Sequence, residues 1–196
     1  MAITIDKDEK RKQIAFSCKE LLFQNGIKNI TVSQIAAQAG IGKGTVYEYF
    51  SNKDEIVFEI LNILIEDMQK WLEEFFDEQK FNFEEKLKYY LSFLFLPEYE
   101  KNLKIYKEFL SIAITEASNE MREHDKECVN SFEKFLGKMI EDAIVIEKLN
   151  LTNDLIRIIR FFHLGLVVRS SLDDFDAKEE IERFISFVLC KNRGAE

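Results

Sequence analysis

Apolar residues recur at steps of three and four over nearly the whole chain, and no alternating run is long enough to mark a strand. The pattern predicts an all-α protein of about nine helices. A first helix carries Ile14, Cys18, Leu21 and Leu22 on one face, and a second begins near Val32 with Ile35, Ala36 and Ala39 aligned. After Gly40-Ile41-Gly42 the series resumes at Val46 and Phe50. A long helix over about 53–77 then bears a broad stripe from Ile56 and Ile60 to Trp71, Leu72 and Phe75. Further helices are expected over about 83–95, 98–118, 119–147, 152–172 and 177–191. Pro97 and Asn150 punctuate them.

The segment from Thr31 to Ile56 has the richest local chemistry. Thr31 with Gln34 three residues on is a capping-box pattern, and Asn52 with Glu55 is another. Gly40 can take the left-handed conformation that ends a helix at a tight turn. Ala36 is small enough to let a second helix cross closely, and Ile41 can fill the space between the two. These are the requirements of a helix-turn-helix. The second helix buries Val46 and Phe50, so its opposite face carries Lys43, Gly44, Thr45, Tyr47, Glu48 and Tyr49. Lys43 and Thr45 can donate to bases or phosphates, and Gly44 permits close approach to a duplex. Glu48 either points away from the phosphates or accepts from a cytosine amino group. Lys53, on the first turn of the next helix, stands beside a terminus that could hold a phosphate.

At these residues the sequence resembles the TetR/AcrR family of bacterial one-component transcriptional regulators. The match covers about 14–61 and includes Ile14, Cys18, Leu21, Leu22, Gly26, Thr31, Ile35, Ala36, Gly40, Lys43-Gly44-Thr45, Tyr47, Phe50 and Lys53. The resemblance implies a three-helix DNA-binding domain over 1–52 and a helical ligand-binding and dimerisation domain over 53–196. Operator DNA would be met by Thr31, Ser33, Lys43, Gly44, Thr45, Tyr47, Tyr49 and Lys53. It also implies a homodimer joined by its last two long helices, a palindromic operator, and a small effector that changes the spacing of the two recognition helices. Three positions depart from the family pattern: Gly42 replaces a usual serine, Tyr49 a common histidine and Cys18 a common alanine. Glycine as N-cap is only a few tenths of a kcal/mol worse than serine.

Charge qualifies this picture. The 196 residues carry a net charge of −9, unpromising for a partner of phosphates. Residues 1–55, however, hold eight Lys and Arg against seven Asp and Glu, so the acid lies in the remainder. Lys7, Lys10, Arg11 and Lys12 form either an arm that reaches DNA or a solvated tail. No apolar run approaches the ~18–20 residues that span a bilayer, and the N-terminus lacks an apolar signal core, so a cytoplasmic protein is expected. Three scattered cysteines and two histidines suggest no disulfide framework, cofactor or catalytic centre. Glu120, His124 and Cys128 fall at i, i+4 and i+8, a weak metal-ligand spacing that more simply describes a polar surface.

The helix over 152–172 has no polar face, so it must be covered on more than one side. Leu155, Ile159, Phe162 and Leu166, with Ile181, Phe184, Ile185 and Val188 of the next helix, are the expected dimer contacts, forming a four-helix bundle. Gly165 either permits a close crossing there or packs within the subunit, and His163 reads as a satisfied interface histidine. Fifteen of the eighteen phenylalanines lie after residue 52 and suit either a lipophilic pocket or a plain core. The expected pocket lining is Met68, Trp71, Tyr89, Phe93, Tyr106 and Phe109, with Glu108 and Glu116 read either as counter-charges or, more simply, as solvated helix faces. An aromatic or lipophilic effector follows. The alternative is a DNA binder of this kind controlled by a protein partner or by no effector.

Overall fold

The computed structural model describes residues 6–172 and 176–192, with side chains through residue 190. Among them are ten α-helices and no strand: α1 Lys7–Ser17, α2 Lys19–Asn29, α3 Val32–Gln38, α4 Lys43–Tyr49, α5 Lys53–Gln79, α6 Phe83–Ser92, α7 Glu100–Glu116, α8 Asn119–Val145, α9 Asp154–Arg169 and α10 Ala177–Asn192. Two short 3-10 turns, Phe93–Phe95 and Pro97–Tyr99, separate α6 from α7 where proline was expected to stop a helix. The first helix read from the sequence is in fact two, meeting at the fully buried Cys18.

The chain divides into two compact units, one of Met1–Met68 with Glu108–Cys128 and one of Gln69–Lys107 with Val129–Glu196. Local chemistry sets the boundaries in the first. Thr31 Oγ1 accepts from the Gln34 amide at 3.3 Å while Gln34 Oε1 accepts from the Thr31 amide at 2.9 Å. Gly40 ends α3 at φ +67°, and Ile41 N–H returns to the Ala36 carbonyl at 3.0 Å. Asn52 Oδ1 accepts from the Glu55 amide at 2.9 Å, opening α5. Ile14, Leu22, Ile35, Val46, Phe50, Ile56 and Ile60 close the core between these helices. Each such side chain contributes roughly 1.5–3 kcal/mol through removal from water.

In the second unit α10 packs on α6, and Lys88 pairs with Glu182 across them at 2.8 Å. The start of α6 has its own capping box, Asn82 with Glu85, and the Phe83 amide donates to Glu147 at 2.7 Å. Asp176 caps α10 by accepting from the amides of Lys178 and Glu179, as expected. Six of the eight residues expected at a dimer contact, Leu155, Ile159, Leu166, Ile181, Ile185 and Val188, are already buried within one copy of this unit. Phe162 and Phe184 stack on each other, half-buried, with centroids 4.0 Å apart. The exposed apolar residues of α9 are instead Ile158, Phe161 and Val168, with Leu172 just beyond its end. Apolar residues occur on every side of α9, among the exposed Asp154, Arg157 and Arg169, so their periodicity alone did not distinguish inner from outer side.

Candidate nucleic-acid interface

Helix α4 presents the surface expected of a recognition helix. Val46 is buried against the core, and Lys43, Gly44, Tyr47 and Glu48 are exposed, Tyr47 by 51%. Thr45 and Tyr49 are half-buried on the flanks, and Thr31 and Ser33 are exposed at the start of α3. A Cβ on Gly44 would meet nothing within 4 Å, so its missing side chain is open to an approaching duplex. The Thr31 hydroxyl is already engaged with Gln34 at 2.7 Å.

Two basic residues serve the fold itself. Arg11 lies in α1, not in an extended arm: its guanidinium donates to the Tyr49 carbonyl, the last of α4, and sits 4.4 Å over the Phe50 ring. Glu55 and Glu59 of α5 flank it at 3.7 and 3.5 Å. This one side chain therefore ties α1, the end of α4 and the start of α5 together, which positions the α4 surface. Lys53 is half-buried, and its ammonium donates to the carbonyls of Ile27 at 3.0 Å and Lys28 at 3.2 Å. A cation at the C-terminal end of a helix satisfies orphan carbonyls and complements the helix dipole.

The same two residues have a second partner, through their amides. Gly26 breaks α2 at φ +77°, ψ 173°, a region open essentially to glycine alone. The amides beyond the break belong to Ile27 and Lys28, and Glu108 of α7 accepts from them at 3.0 and 3.1 Å. Glu108 was read from the sequence as either a counter-charge to an effector or a solvated acid. It instead clamps the end of α2 from one side while Lys53 holds it from the other.

Further along the first unit, His124 is buried, stacked on Phe58 at 4.7 Å and met edge-on by Phe109 at 5.8 Å. Burial alone holds its imidazole down to about 4. Cys128 Sγ lies 3.4 Å from its Nε2, and burial, then Asp125 and Glu127, push the thiol up to about 12. Glu120 is exposed at the start of α8, its carboxyl lowered by its own backbone amide and the Ser118 hydroxyl. Among the described residues no group of three His, Cys, Asp or Glu is placed to hold a metal ion.

Of the six residues expected around an effector, Met68 and Phe109 belong to the first unit and Trp71, Tyr89, Phe93 and Tyr106 to the second. There Trp71 meets Tyr89 at 5.9 Å and Tyr99 at 6.1 Å, and Tyr99 meets Phe93 edge-on at 5.3 Å. Phe75 completes the cluster, stacked on Trp71 at 5.1 Å. A groove of about 310 Å³ beside it is lined by Phe81, Glu85, Lys88, Tyr89, Ser92 and Leu96. Tyr90 is fully buried, which raises its phenol pKa, and its ring lies 5.5 Å from that of His163. Of the six expected lining residues only Tyr89 lines this groove, and Tyr99 and His163, which the sequence did not single out for it, join the ring cluster beside it.

Comparison with known proteins agrees with this geometry. Residues 18–60 match the tetR family of bacterial regulatory proteins. The chain is 28% identical over 141 residues to the fatty acid metabolism regulator protein of Bacillus subtilis, covering 70% of each chain. Its fold is similar to that of FadR from Bacillus subtilis, solved in complex with stearoyl-CoA, with a TM-score of 0.61 at 22% identity over 90% of this chain and 96% of that one. A TetR-family regulator from Rhodococcus sp. superposes with a TM-score of 0.74 at 19% identity, over 93% and 99% of the two chains. Among the described residues no helix is long and apolar enough to cross a membrane. With its helix-turn-helix built from α3 and α4 inside the matched residues 18–60, the chain carries the helix-turn-helix domain of the tetR family of bacterial regulatory proteins.

Proposed function

We propose that this regulator is a homodimeric repressor that holds two copies of α4 in successive major grooves of a palindromic operator and releases it when a lipophilic or aromatic small molecule occupies the second unit. The observation that carries the reading is the α4 surface itself, with Lys43, Gly44 and Tyr47 exposed on a helix fixed from behind by Val46 and Arg11. Thr31, Ser33, Thr45 and Tyr49 flank it and complete the contact. Half-sites would then be separated by about 34 Å or a multiple of it.

The dimer contact is assigned to the outer face of α9. Ile158, Phe161, Gly165 and Val168 follow one another at steps of three, four and three, the spacing of a helix-helix seam. Gly165 is exposed, and a Cβ there would meet nothing within 4 Å, so the seam has room for a close approach by a second helix. The aromatic cluster around Trp71 supports an effector of low polarity, and the relative solved with stearoyl-CoA makes long-chain acyl thioesters worth including in a first screen.

Selection of a bound sequence from random DNA tests the reading. The expected result is an inverted repeat bound by two chains, with affinity reduced at least tenfold in Lys43→Ala and Tyr47→Ala at unchanged helical content. Unaltered affinity in both variants would remove the α4 surface from the interface. Operator release by a protein partner, with no small molecule effective, would overturn the effector portion.

A further inference from the structure

The interior of the second unit contains a polar atom with no visible reason to be there. His163 lies on α9 in the inner face of that unit, 9% exposed, between the rings of Tyr90 at 5.5 Å and Phe93 at 6.4 Å. Its Nε2 is buried and has no hydrogen-bond partner among the described residues. Leaving such an atom unpaired costs about 1–3 kcal/mol, and buried polar groups in folded proteins are nearly always satisfied. A leucine or phenylalanine would fill the same space at no such cost.

The position of the atom suggests what completes it. Phe93, its neighbour, contacts Tyr99 at 5.3 Å, Tyr99 contacts Trp71 at 6.1 Å, and Trp71 contacts Tyr89 at 5.9 Å. Tyr89 lines the groove of about 310 Å³. A continuous series of aromatic rings thus runs from that groove to the unpaired nitrogen, and its volume is at the lower end of the range for small-molecule sites. We propose that the second unit binds an elongated lipophilic molecule, uncharged at its buried end, whose one buried oxygen, a hydroxyl or a carbonyl, hydrogen-bonds His163 Nε2, with its apolar body lying along Phe93, Tyr99 and Trp71. This deepens the effector-responsive reading given above and rests on it.

Charge argues for neutrality at the buried end. At the His163 end, Arg160, whose charge acts on Tyr90, is paired with Glu133 at 2.7 Å and so offers no uncompensated charge to a ligand, while Glu98 acts on Tyr89 and Tyr99 nearer the groove. Burial holds the His163 imidazole down to about 4, so it is neutral at physiological pH. A carboxylate brought there would lose its hydration without gaining a counter-ion. A hydroxyl can donate to or accept from either imidazole tautomer, and a carbonyl accepts from the Nε2–H form.

Trp71 is the single tryptophan of the chain and lies on this path, so the intact protein reports on its own site. Emission should be followed while the full chain is titrated at pH 7.5 with decan-1-ol, decan-2-one and decanoate. The expected result is a saturable shift with the alcohol and the ketone, and binding of decanoate at least tenfold weaker. His163→Phe should weaken decan-1-ol about tenfold while raising the Tm of the ligand-free protein, because it removes the unpaired atom. A histidine needed only for packing would give a lower Tm and an unchanged affinity. Tyr99→Leu, which opens the ring series without touching α9, should also weaken decan-1-ol. Equal affinity for decanoate, or decan-1-ol binding indifferent to both substitutions, would overturn the proposal. Binding that needs His163 but leaves the operator complex intact would uphold this site and refute the effector reading. Operator release by a molecule that neither perturbs Trp71 nor needs His163 would do the reverse.

Discussion

The clamp on the end of α2 makes a quantitative prediction, because Gly26 and Glu108 are held to each other by geometry. Glu108 presents two carboxylate oxygens to two amides, those of Ile27 and Lys28, at 3.0 and 3.1 Å. The first amide is partly buried and the second exposed, so the second can be rehydrated and contributes little. Charge-assisted bonds of this kind are worth roughly 1.5–3 kcal/mol when shielded from water, which puts Glu108→Ala at a loss of about 2 kcal/mol. Glu108→Gln should not rescue it, since an amide places an N–H against one of the two backbone donors. Gly26→Ala carries two costs. The backbone at φ +77°, ψ 173° is strained for any other residue by roughly 1–3 kcal/mol, and a Cβ would lie 2.6 Å from Glu108 Oε2, displacing the carboxylate. The single variant should therefore lose about 4 kcal/mol. Once Glu108 is already alanine, Gly26→Ala should cost only the strain, about 2 kcal/mol. Urea unfolding followed by circular dichroism at 222 nm would supply the four free energies. A coupling near 2 kcal/mol is expected, and strict additivity within about 0.5 kcal/mol would refute the idea that the carboxylate occupies the space the glycine leaves.

Arg11→Ala should cost about 1–2 kcal/mol of stability, discounted for a guanidinium side chain 26% exposed, and should weaken operator binding without changing its salt dependence. A salt slope reduced by about one unit at unchanged Tm would instead mean that Arg11 contacts a phosphate. His124 and His163 are both held to about 4 by burial, against about 6.5 in an unfolded chain. Above pH 6.5 both states are neutral and the histidine contribution is complete; between 6.5 and 4 only the unfolded chain takes up the proton. Stability should therefore fall on acidification by up to about 1.4 kcal/mol per pH unit for each histidine, and urea midpoints from pH 7 to 5.5 should show a shallower fall in His163→Phe. Phe161→Asp, on the exposed face of α9, should sediment as a monomer with full helical content and lose operator binding. A dimer that survives this substitution would place the contact between copies elsewhere.

The parts of this structure that were legible in the sequence are those written within one turn of helix. Thr31 with Gln34, Asn52 with Glu55 and the left-handed Gly40 each act over three or four residues, so their effect could be read directly. The exposed face of α4 followed because Val46 and Phe50 fix which side is buried. What was not legible is chemistry between distant positions. Arg11 and Lys53 look like phosphate ligands until the carbonyls of Tyr49, Ile27 and Lys28 are seen beside them, 38, 26 and 25 residues away. Glu108 looks like a solvated or ligand-facing acid, yet its partners lie 81 and 80 residues earlier. The break at Cys18 had no glycine or proline to announce it. On α9 the count of apolar residues showed that two sides are covered, but periodicity alone could not say which side faces the subunit's own core.

The internal use of basic residues in the head has a kinetic consequence. Of the eight Lys and Arg in residues 1–55, Arg11, Lys12, Lys19 and Lys53 are engaged with carboxylates or carbonyls of the chain itself. Four at most remain in each copy to displace condensed counterions, so affinity for DNA should vary with salt no more steeply than a log-log slope of about −7 for two copies. Nonspecific DNA, whose hold on a protein comes almost wholly from that displacement, would retain such a molecule only briefly. The regulator would then reach its operator mainly by repeated collision from solution, with little sliding along the duplex, and its occupancy would follow its own concentration more closely than the amount of competing DNA.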